Sequence, residues 1–346
     1  TFQPIPGIHR LYRNNGDLTF TNVSAQTGWV NNLGFWMATA WGDYDNDSDL
    51  DHFSTSAGGS ALQDVPDGPS TDAYFPHGFW ENVGDGSFFQ HKPHETGLAR
   101  PRGSGFGWGA NFADFDNDGF MDLFFHGTYP SLGGLLHDAE WMGNPWGNPG
   151  YLYRNTGDRR FKLVQTFGLR NRFTSGSAVG DFDGDGFPDI AVVNTAFRRD
   201  PGKPILLLNK TANGNGWITV RTVGTKSNRD GIGAKVRVLA GRLTKLQEVR
   251  SGSSFASMDS PWLTFGLGRK APRRVSIEVT WPSGRVEVFR GKRTRRIVTL
   301  REGRGKRIRV SAPLITRPDS SLRTPNLPVP PNQPPLPAPT VPTRRR

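Results

Sequence analysis

Hydrophobic positions along the chain come in short groups separated by stretches rich in Gly, Asn, Asp and Pro. Leu123-Phe-Phe125 and Ile190-Ala-Val-Val193 are compact runs, whereas Val275, Ile277 and Val279 alternate with Ser276, Glu278 and Thr280. Alternation with period two predicts a strand with one wet and one buried face, and short runs bounded by turn residues predict buried strands. No long stretch repeats apolar residues at i, i+3, i+4 and i+7, so no amphipathic helix is expected. No segment approaches the ~18 consecutive apolar residues that a membrane span needs. The expected fold class is all-β.

The same pattern repeats. Three acidic loops each precede a hydrophobic strand: Asp43-Tyr-Asp45-Asn-Asp47-Ser-Asp49-Leu-Asp51, Asp114-Phe-Asp116-Asn-Asp118-Gly-Phe120-Met-Asp122 and Asp181-Phe-Asp183-Gly-Asp185-Gly-Phe187-Pro-Asp189. Their starts lie 71 and 67 residues apart. A second motif keeps step: Leu11-Tyr-Arg-Asn14, Phe79-Trp-Glu-Asn82, Leu152-Tyr-Arg-Asn155 and a fading copy, Leu206-Leu-Leu-Asn209. The first three copies run into Gly-Asp and then an aromatic residue, which predicts a turn between two strands. Each unit is thus a few strands with an acidic loop at one fixed corner.

Four or five carboxylates within nine residues repel one another unless a cation sits among them. Aspartates at positions 1, 3 and 5 of a tight loop point inward, and the aspartate at position 9 closes the shell. Position 7 (Asp49, Phe120 and Phe187) offers a backbone carbonyl. All-oxygen ligation without His or Cys selects Ca²⁺ over Zn²⁺, so three calcium sites are predicted. Gly119 and Gly186 at position 6 supply the sharp turn; Ser48 stands there in the first loop, which departs most from the pattern. Position 12, a bidentate Glu in an EF-hand, is Ser54, Phe125 and Val192, and strands rather than helices flank the loops.

Over about residues 8–210 these motifs resemble the FG-GAP/VCBS repeats of integrin-α-like β-propellers, whose blades carry such a loop between two strands. The resemblance implies a closed ring of blades, usually seven. Three loops with half-units at each end are fewer than the ~4–8 blades of a closed propeller, which predicts a partial or small propeller over 1–210, incomplete, degenerate or completed by another chain.

From Trp217 onward eight short strands are expected without acidic loops: Ile218–Val223, Ala234–Ala240, Leu246–Arg250, Trp262–Phe265, Val275–Thr280, Val286–Phe289, Ile297–Leu300 and Ile308–Val310. Asp230-Gly231, Gly266-Leu-Gly268 and Pro282-Ser-Gly284 read as turns, and the set fits a β-sandwich over 211–311. The segments Val223–Val236, Arg250-Ser-Gly-Ser-Ser-Phe255, Phe265-Gly-Leu-Gly268 and Trp281-Pro-Ser-Gly-Arg285 resemble the ASPIC/UnbV domain, which the resemblance places after FG-GAP repeats in secreted proteins. Thr225–Asp230 and Ser251–Ser254 are candidate binding loops or, equally, turns that hold hairpins. Residues 312–346 contain 11 Pro and end on Arg344-Arg345-Arg346; this tail predicts an extended spacer or a docking arm.

Charge divides the chain. Residues 1–210 carry 15 Lys and Arg against 24 Asp and Glu, a net of −9, and residues 211–346 carry 28 against 7, a net of +21. Opposite signs argue for modules with different partners. The basic runs Lys292–Arg296 and Arg304–Arg309 suit acidic glycans, anionic lipid or acidic protein, and no recognised fold motif points to nucleic acid. Cysteine is absent, which excludes disulfides, thiol catalysis and Cys-zinc sites. No nucleophile elbow, His-Glu-x-x-His or P-loop is present, so no enzymatic activity is expected. The start at Thr1 fits removal of a leader or other trimming, and the expected location is extracytoplasmic, secreted or periplasmic. These features predict an exported, calcium-binding, non-catalytic interaction or scaffold protein with protein or glycan partners. The alternative is a structural accessory subunit of a periplasmic or membrane-attached complex, docked through the propeller and the tail.

Overall fold

The computed structural model describes residues 7–29, 33–34, 36–56, 77–84, 86–98, 106–128, 148–169, 174–194 and 203–308. Among these the regular elements are strands alone, and no helix is long and apolar enough to cross a membrane. The Pro-rich tail lies outside the described residues. All the described residues belong to one compact unit.

The chain opens with β1 (Gly7–Ile8), the hairpin β2 (Tyr12–Asn14) and β3 (Phe20–Asn22), and β4 (Leu33–Gly34), which pairs with β1. Three antiparallel meanders follow. The first is β5 (Thr39–Gly42), β6 (Asp51–Ser54), β7 (Gly78–Asn82) and β8 (Phe89–His91). The second is β9 (Phe106–Ala113), β10 (Asp122–Thr128), β11 (Asn148–Asn155) and β12 (Phe161–Leu169). The third has β13 (Thr174–Gly180), β14 (Asp189–Asn194) and β15 (Ile205–Leu207). In every sheet the acidic loop joins the first strand to the second, and the asparagine of the second motif ends or follows the third strand, as the repeat phase predicts.

The sheets pack as propeller-like blades, with the first strands β5, β9 and β13 side by side. Aromatic and aliphatic residues fill the wedges between blades. Tyr44, Phe53, Phe79, Leu123, Phe125, Tyr153 and Phe161 form the core between the first two; Phe115, Phe124, Val179, Ile190 and Val192 form the core between the second and third. Position 2 of each acidic loop points into the next wedge. Tyr44 and Phe115 are buried there, while Phe182, with no further blade described beyond it, is 54 % exposed. The arc is therefore open among the described residues.

The sandwich comprises β16 (Gly216–Val223), β17 (Lys235–Ala240), β18 (Leu243–Glu248), β19 (Leu263–Gly268), β20 (Arg274–Thr280), β21 (Val286–Arg293), β22 (Ile297–Arg301) and β23 (Lys306–Ile308). One sheet runs β19-β16-β22, with β16 and β22 parallel, and the other runs β18-β17-β20-β21-β23. Val275, Ile277 and Val279 face a closed core with Ile218, Val220, Val236, Val238, Phe265, Trp281 and Leu300. Burying each such side chain contributes roughly 1.5–3 kcal/mol.

Two sequence expectations change here. The third strand begins at Leu243, because Gly241-Arg242 closes a two-residue hairpin in the register Ala240↔Leu243. Gly266-Leu-Gly268, expected as a turn, continues strand β19. Its glycines answer to close approach: a Cβ on Gly266 would lie 1.9 Å from Asp114 Oδ2 and 2.6 Å from Asn117 Cα.

The sandwich also sends the segment between β18 and β19 onto the first strands of all three blades. Ser254 N–H donates to Thr39 O at 3.0 Å, Ser254 Oγ accepts from Ala110 N–H at 3.0 Å, and it pairs with Ser177 Oγ at 3.0 Å. Asp259 Oδ1 accepts from Asn111 Nδ2 at 2.7 Å and Val179 N–H at 2.8 Å. Phe255 stacks edge-on against Trp108. The chain's own C-terminal domain thus packs the axis of the open arc, and Ser251–Ser254 is part of that plug.

Candidate metal centres

Each acidic loop closes on itself by one repeated hydrogen-bond scheme. The backbone must turn sharply, and residues at positions 4 and 6 adopt positive φ: Asn46 and Ser48, Asn117 and Gly119, Gly184 and Gly186. Ser48, at +77°, takes the conformation glycine takes in the other loops, so the first loop keeps the turn without the glycine. The position-1 carboxylate accepts the N–H of position 6: Ser48 to Asp43 at 3.2 Å, Gly119 to Asp114 at 2.8 Å and Gly186 to Asp181 at 3.0 Å. The position-9 carboxylate accepts the N–H of position 2: Tyr44 to Asp51, Phe115 to Asp122 and Phe182 to Asp189, at 2.8–3.0 Å.

The repeated asparagine, with no role assignable from the sequence, holds the other side of that carboxylate. Backbone N–H groups of Asn82, Asn155 and Asn209 donate to Asp51, Asp122 and Asp189 Oδ1 at 2.9, 2.8 and 2.7 Å. Asn155 Nδ2 also donates to Met121 O in its own blade and to Tyr44 O in the preceding loop. Asn209 does the same to Pro188 O and Phe115 O. Position 4 links loop to loop, with Asn46 Nδ2 on Gly119 O and Asn117 Nδ2 on Gly186 O. The three loops are one connected row.

Carboxylates at positions 1, 3 and 9 converge. Asp43, Asp45 and Asp51, then Asp114, Asp116 and Asp122, then Asp181, Asp183 and Asp189 each offer oxygens within 4.8 Å of one another. Oxygens on opposite sides of a calcium ion at about 2.3–2.6 Å are about 4.6–5.2 Å apart, so the spacing fits. The predicted position-5 ligands, Asp47, Asp118 and Asp185, are not among these clusters and accept the N–H of position 7 (Asp49, Phe120 and Phe187) at 2.8–3.1 Å.

Electrostatics point the same way. Burial first, and then the Asp47 and Asp45 carboxylates, push Asp43 up to about 7. Burial, with Asp47 next, takes Asp45 to about 6, and burial takes Asp51 to about 9. Burial also pushes Asp114 and Asp122 well up. Such shifts measure the cost of burying carboxylates, to which the neighbouring carboxylates add. In the first loop the buried Asp43 Oδ1 and Asp45 Oδ1 have no hydrogen-bond donor, and a cation with hard oxygen preference would satisfy both. Half-exposed basic arms reach each position-3 carboxylate: Arg159 to Asp45 at 2.9 Å, Arg154 to Asp116 at 2.7 Å and Lys210 to Asp183 at 2.9 Å. Lys210 holds Asp183 below its usual range by its hydrogen bond.

One further cation is buried. Lys245, on β18, donates from Nζ to Asn46 Oδ1 at 2.6 Å and lies 4.9 Å from the Phe120 ring centre, between the first and second loops. Burial brings it down to about 8, against the pull of Asp114, Asp43 and Asp118. Nothing local in the sequence marks this lysine, since its partners lie over a hundred residues away. The other candidate binding loop turns inward: the N–H groups of Thr225, Lys226 and Ser227 all donate to Glu302 Oε2 at 2.7–2.8 Å.

The FG-GAP-like repeat profile matches residues 141–192, the FG-GAP repeat profile matches 173–218, and the ASPIC and UnbV profile matches 224–307. Cartilage acidic protein 1 of Xenopus tropicalis is 25% identical over 284 residues, covering 81% of this chain and 39% of the relative. The Homo sapiens protein of that name is 24% identical over 281 residues, covering 81% and 38%. The chain spans about two fifths of the length of these curated relatives. The matched spans run from β11 to the start of β16 and then over the rest of the sandwich: the chain carries FG-GAP repeats followed by an ASPIC/UnbV domain.

Proposed function

We propose that this is an exported, calcium-binding, non-catalytic interaction protein, with protein or glycan partners and calcium as a structural ion. The observation that carries the reading is the repeated loop, closed three times by the same hydrogen bonds around converging carboxylates, with two orphaned buried oxygens in the first. Extracellular calcium is high enough to fill even weak sites of this kind. The relatives named cartilage acidic protein 1 support an extracellular setting. The axis is packed by the chain's own plug, which favours a self-sufficient module over a subunit that needs a neighbour to close its arc.

Titration of the full chain with CaCl₂ in a calorimeter tests this. Three ions are expected to bind, each with Kd at or below about 1 mM, and magnesium is expected to bind more weakly. Asp45→Ala removes one ligand of the first cluster and should reduce the stoichiometry from three to two. Absence of calcium heat up to several millimolar overturns the reading.

A further inference from the structure

The sandwich has its own hydrophobic core, drawn entirely from residues between 218 and 300. The wedge cores are drawn from the blades, with Phe255 the plug's contribution against them. Seating of the sandwich therefore owes little to a shared apolar core. Beyond the plug on the first strands, its contacts fall on the acidic loops and are mostly polar. Gly268 N–H donates to Asn117 O at 2.9 Å. Gly266 leaves its Cβ position to Asp114 Oδ2 and the Asn117 backbone. Trp217 lies against Gly186, where a Cβ would come within 1.8 Å of its ring. Asn213 and Asn215 Nδ2 donate to Asp116 O at 2.6 and 2.8 Å. Lys245 completes the set between the first two loops.

Each of these contacts requires an acidic loop in its closed form. Closure brings carboxylates together, which is costly in the absence of a bound cation. A cation that holds a loop closed therefore preserves the surface on which the sandwich rests. By reciprocity, a seated sandwich holds the loops closed and raises their affinity for the cation.

We propose that calcium binding to the acidic loops and seating of the C-terminal sandwich are a single coupled equilibrium, with the loop row as the ion-dependent socket and the Ser254 plug as the remote anchor. This rests on the reading of the loops as calcium sites. The socket assigns a role to Phe265-Gly-Leu-Gly268 and to Lys245 that is distinct from ion ligation: they recognise the closed loops.

Ser254 allows a test that touches no ion ligand. It contacts Thr39, Ala110 and Ser177, all on first strands, and its φ of +59° suits glycine, so Ser254→Gly deletes the hydroxyl without backbone strain. Hydrogen exchange of the full chain, measured in CaCl₂ and in EDTA, reports seating through residues 250–262 and sandwich integrity through 275–279. Calorimetric titration with CaCl₂ reports affinity. EDTA is expected to speed exchange in 250–262 at least tenfold while leaving 275–279 protected. Ser254→Gly is expected to speed the same segment and lower calcium affinity about fivefold or more. Asp259→Ala, which removes the contacts to Asn111 and Val179, should act in the same direction and serves if Ser254→Gly leaves the plug seated. Exposed Thr299→Ala is the neutral control. If calcium binds but exchange in 250–262 is equal in both buffers, or if an unseated variant binds calcium like the parent, the coupling is wrong and the calcium sites stand. If no calcium heat is seen, both fall together.

Discussion

Asn155 shows what a single side chain does in this fold. Buried at the end of β11, it donates from Nδ2 to two carbonyls in different blades and accepts the N–H of Gly157 through Oδ1. Asn155→Ala strands two carbonyls and should cost about 2–3 kcal/mol, read as a lower urea midpoint. Asn14 occupies the same motif position in the exposed hairpin β2–β3, where it receives only the N–H of Gly16. Asn14→Ala should stay within about 0.5 kcal/mol of the parent. The repeat of this asparagine is plain in the sequence, but its role is not, because Tyr44 is 111 residues from Asn155. Glu302 makes the parallel point for pH. Burial alone raises its pKa, but the Ser283 hydroxyl and the amides of Ser227, Thr225 and Lys226 outweigh it and bring Glu302 from 4.5 down to about 2. A carboxylate depressed by folding contributes stability that is fully present above pH 4.5 and lost as pH falls toward 2. Glu302→Gln should therefore cost about 1.5–3 kcal/mol at pH 7. The gap between parent and variant urea midpoints should close over that acid window, and a gap that persists at pH 2 would contradict the assignment.

Most elements are legible where their cause is local, the Gly241-Arg242 hairpin being an exception. Alternation along Val275–Val279 and the paired glycines and aromatics of the hairpins gave strands where the structure has them, and the acidic loops sit between first and second strands as their phase implies. Gly266-Leu-Gly268 does not form the turn its composition suggests, because its glycines answer to a surface more than a hundred residues away. Read locally, two glycines mean a turn; in the structure they thin a strand so that the second loop can lie against it. Gly266→Ala should accordingly cost about 1–3 kcal/mol by overpacking, since the Asn117 backbone and the Asp114 carboxylate cannot both retreat. It should also slow or weaken calcium uptake by the second loop. Gly305 supplies the contrast: its added Cβ would lie 2.8 Å from Glu287 Cβ and 2.9 Å from the Phe289 ring, a clash within the sandwich. Gly305→Ala should therefore lower the thermal midpoint without changing calcium affinity. A Gly266→Ala protein with parental calcium affinity would remove β19 from the socket.

At the scale of the molecule, the sequence pattern distinguishes an acidic repeat region from a basic sandwich, and both are present as separate hydrophobic cores. What it does not reveal is how the open arc is completed, because the plug between β18 and β19 is a polar Ser-rich segment with the composition of an ordinary loop. Only its partners on β5, β9 and β13 give it a place. Separate cores joined by polar, loop-dependent contacts lead to a calorimetric expectation. With calcium bound, the ions stabilise the blades by mass action, about 2.7 kcal/mol per site at a hundredfold excess over Kd, and the seated sandwich unfolds with them in one transition. In EDTA the loops are expected to open and the blades to lose that contribution, while the sandwich keeps the core that it builds alone. Scanning calorimetry should then resolve two transitions, with the lower one moving upward as calcium is restored and the upper one nearly independent of it. A single transition that shifts as a whole in both buffers would mean that the two cores are welded by more than the acidic loops.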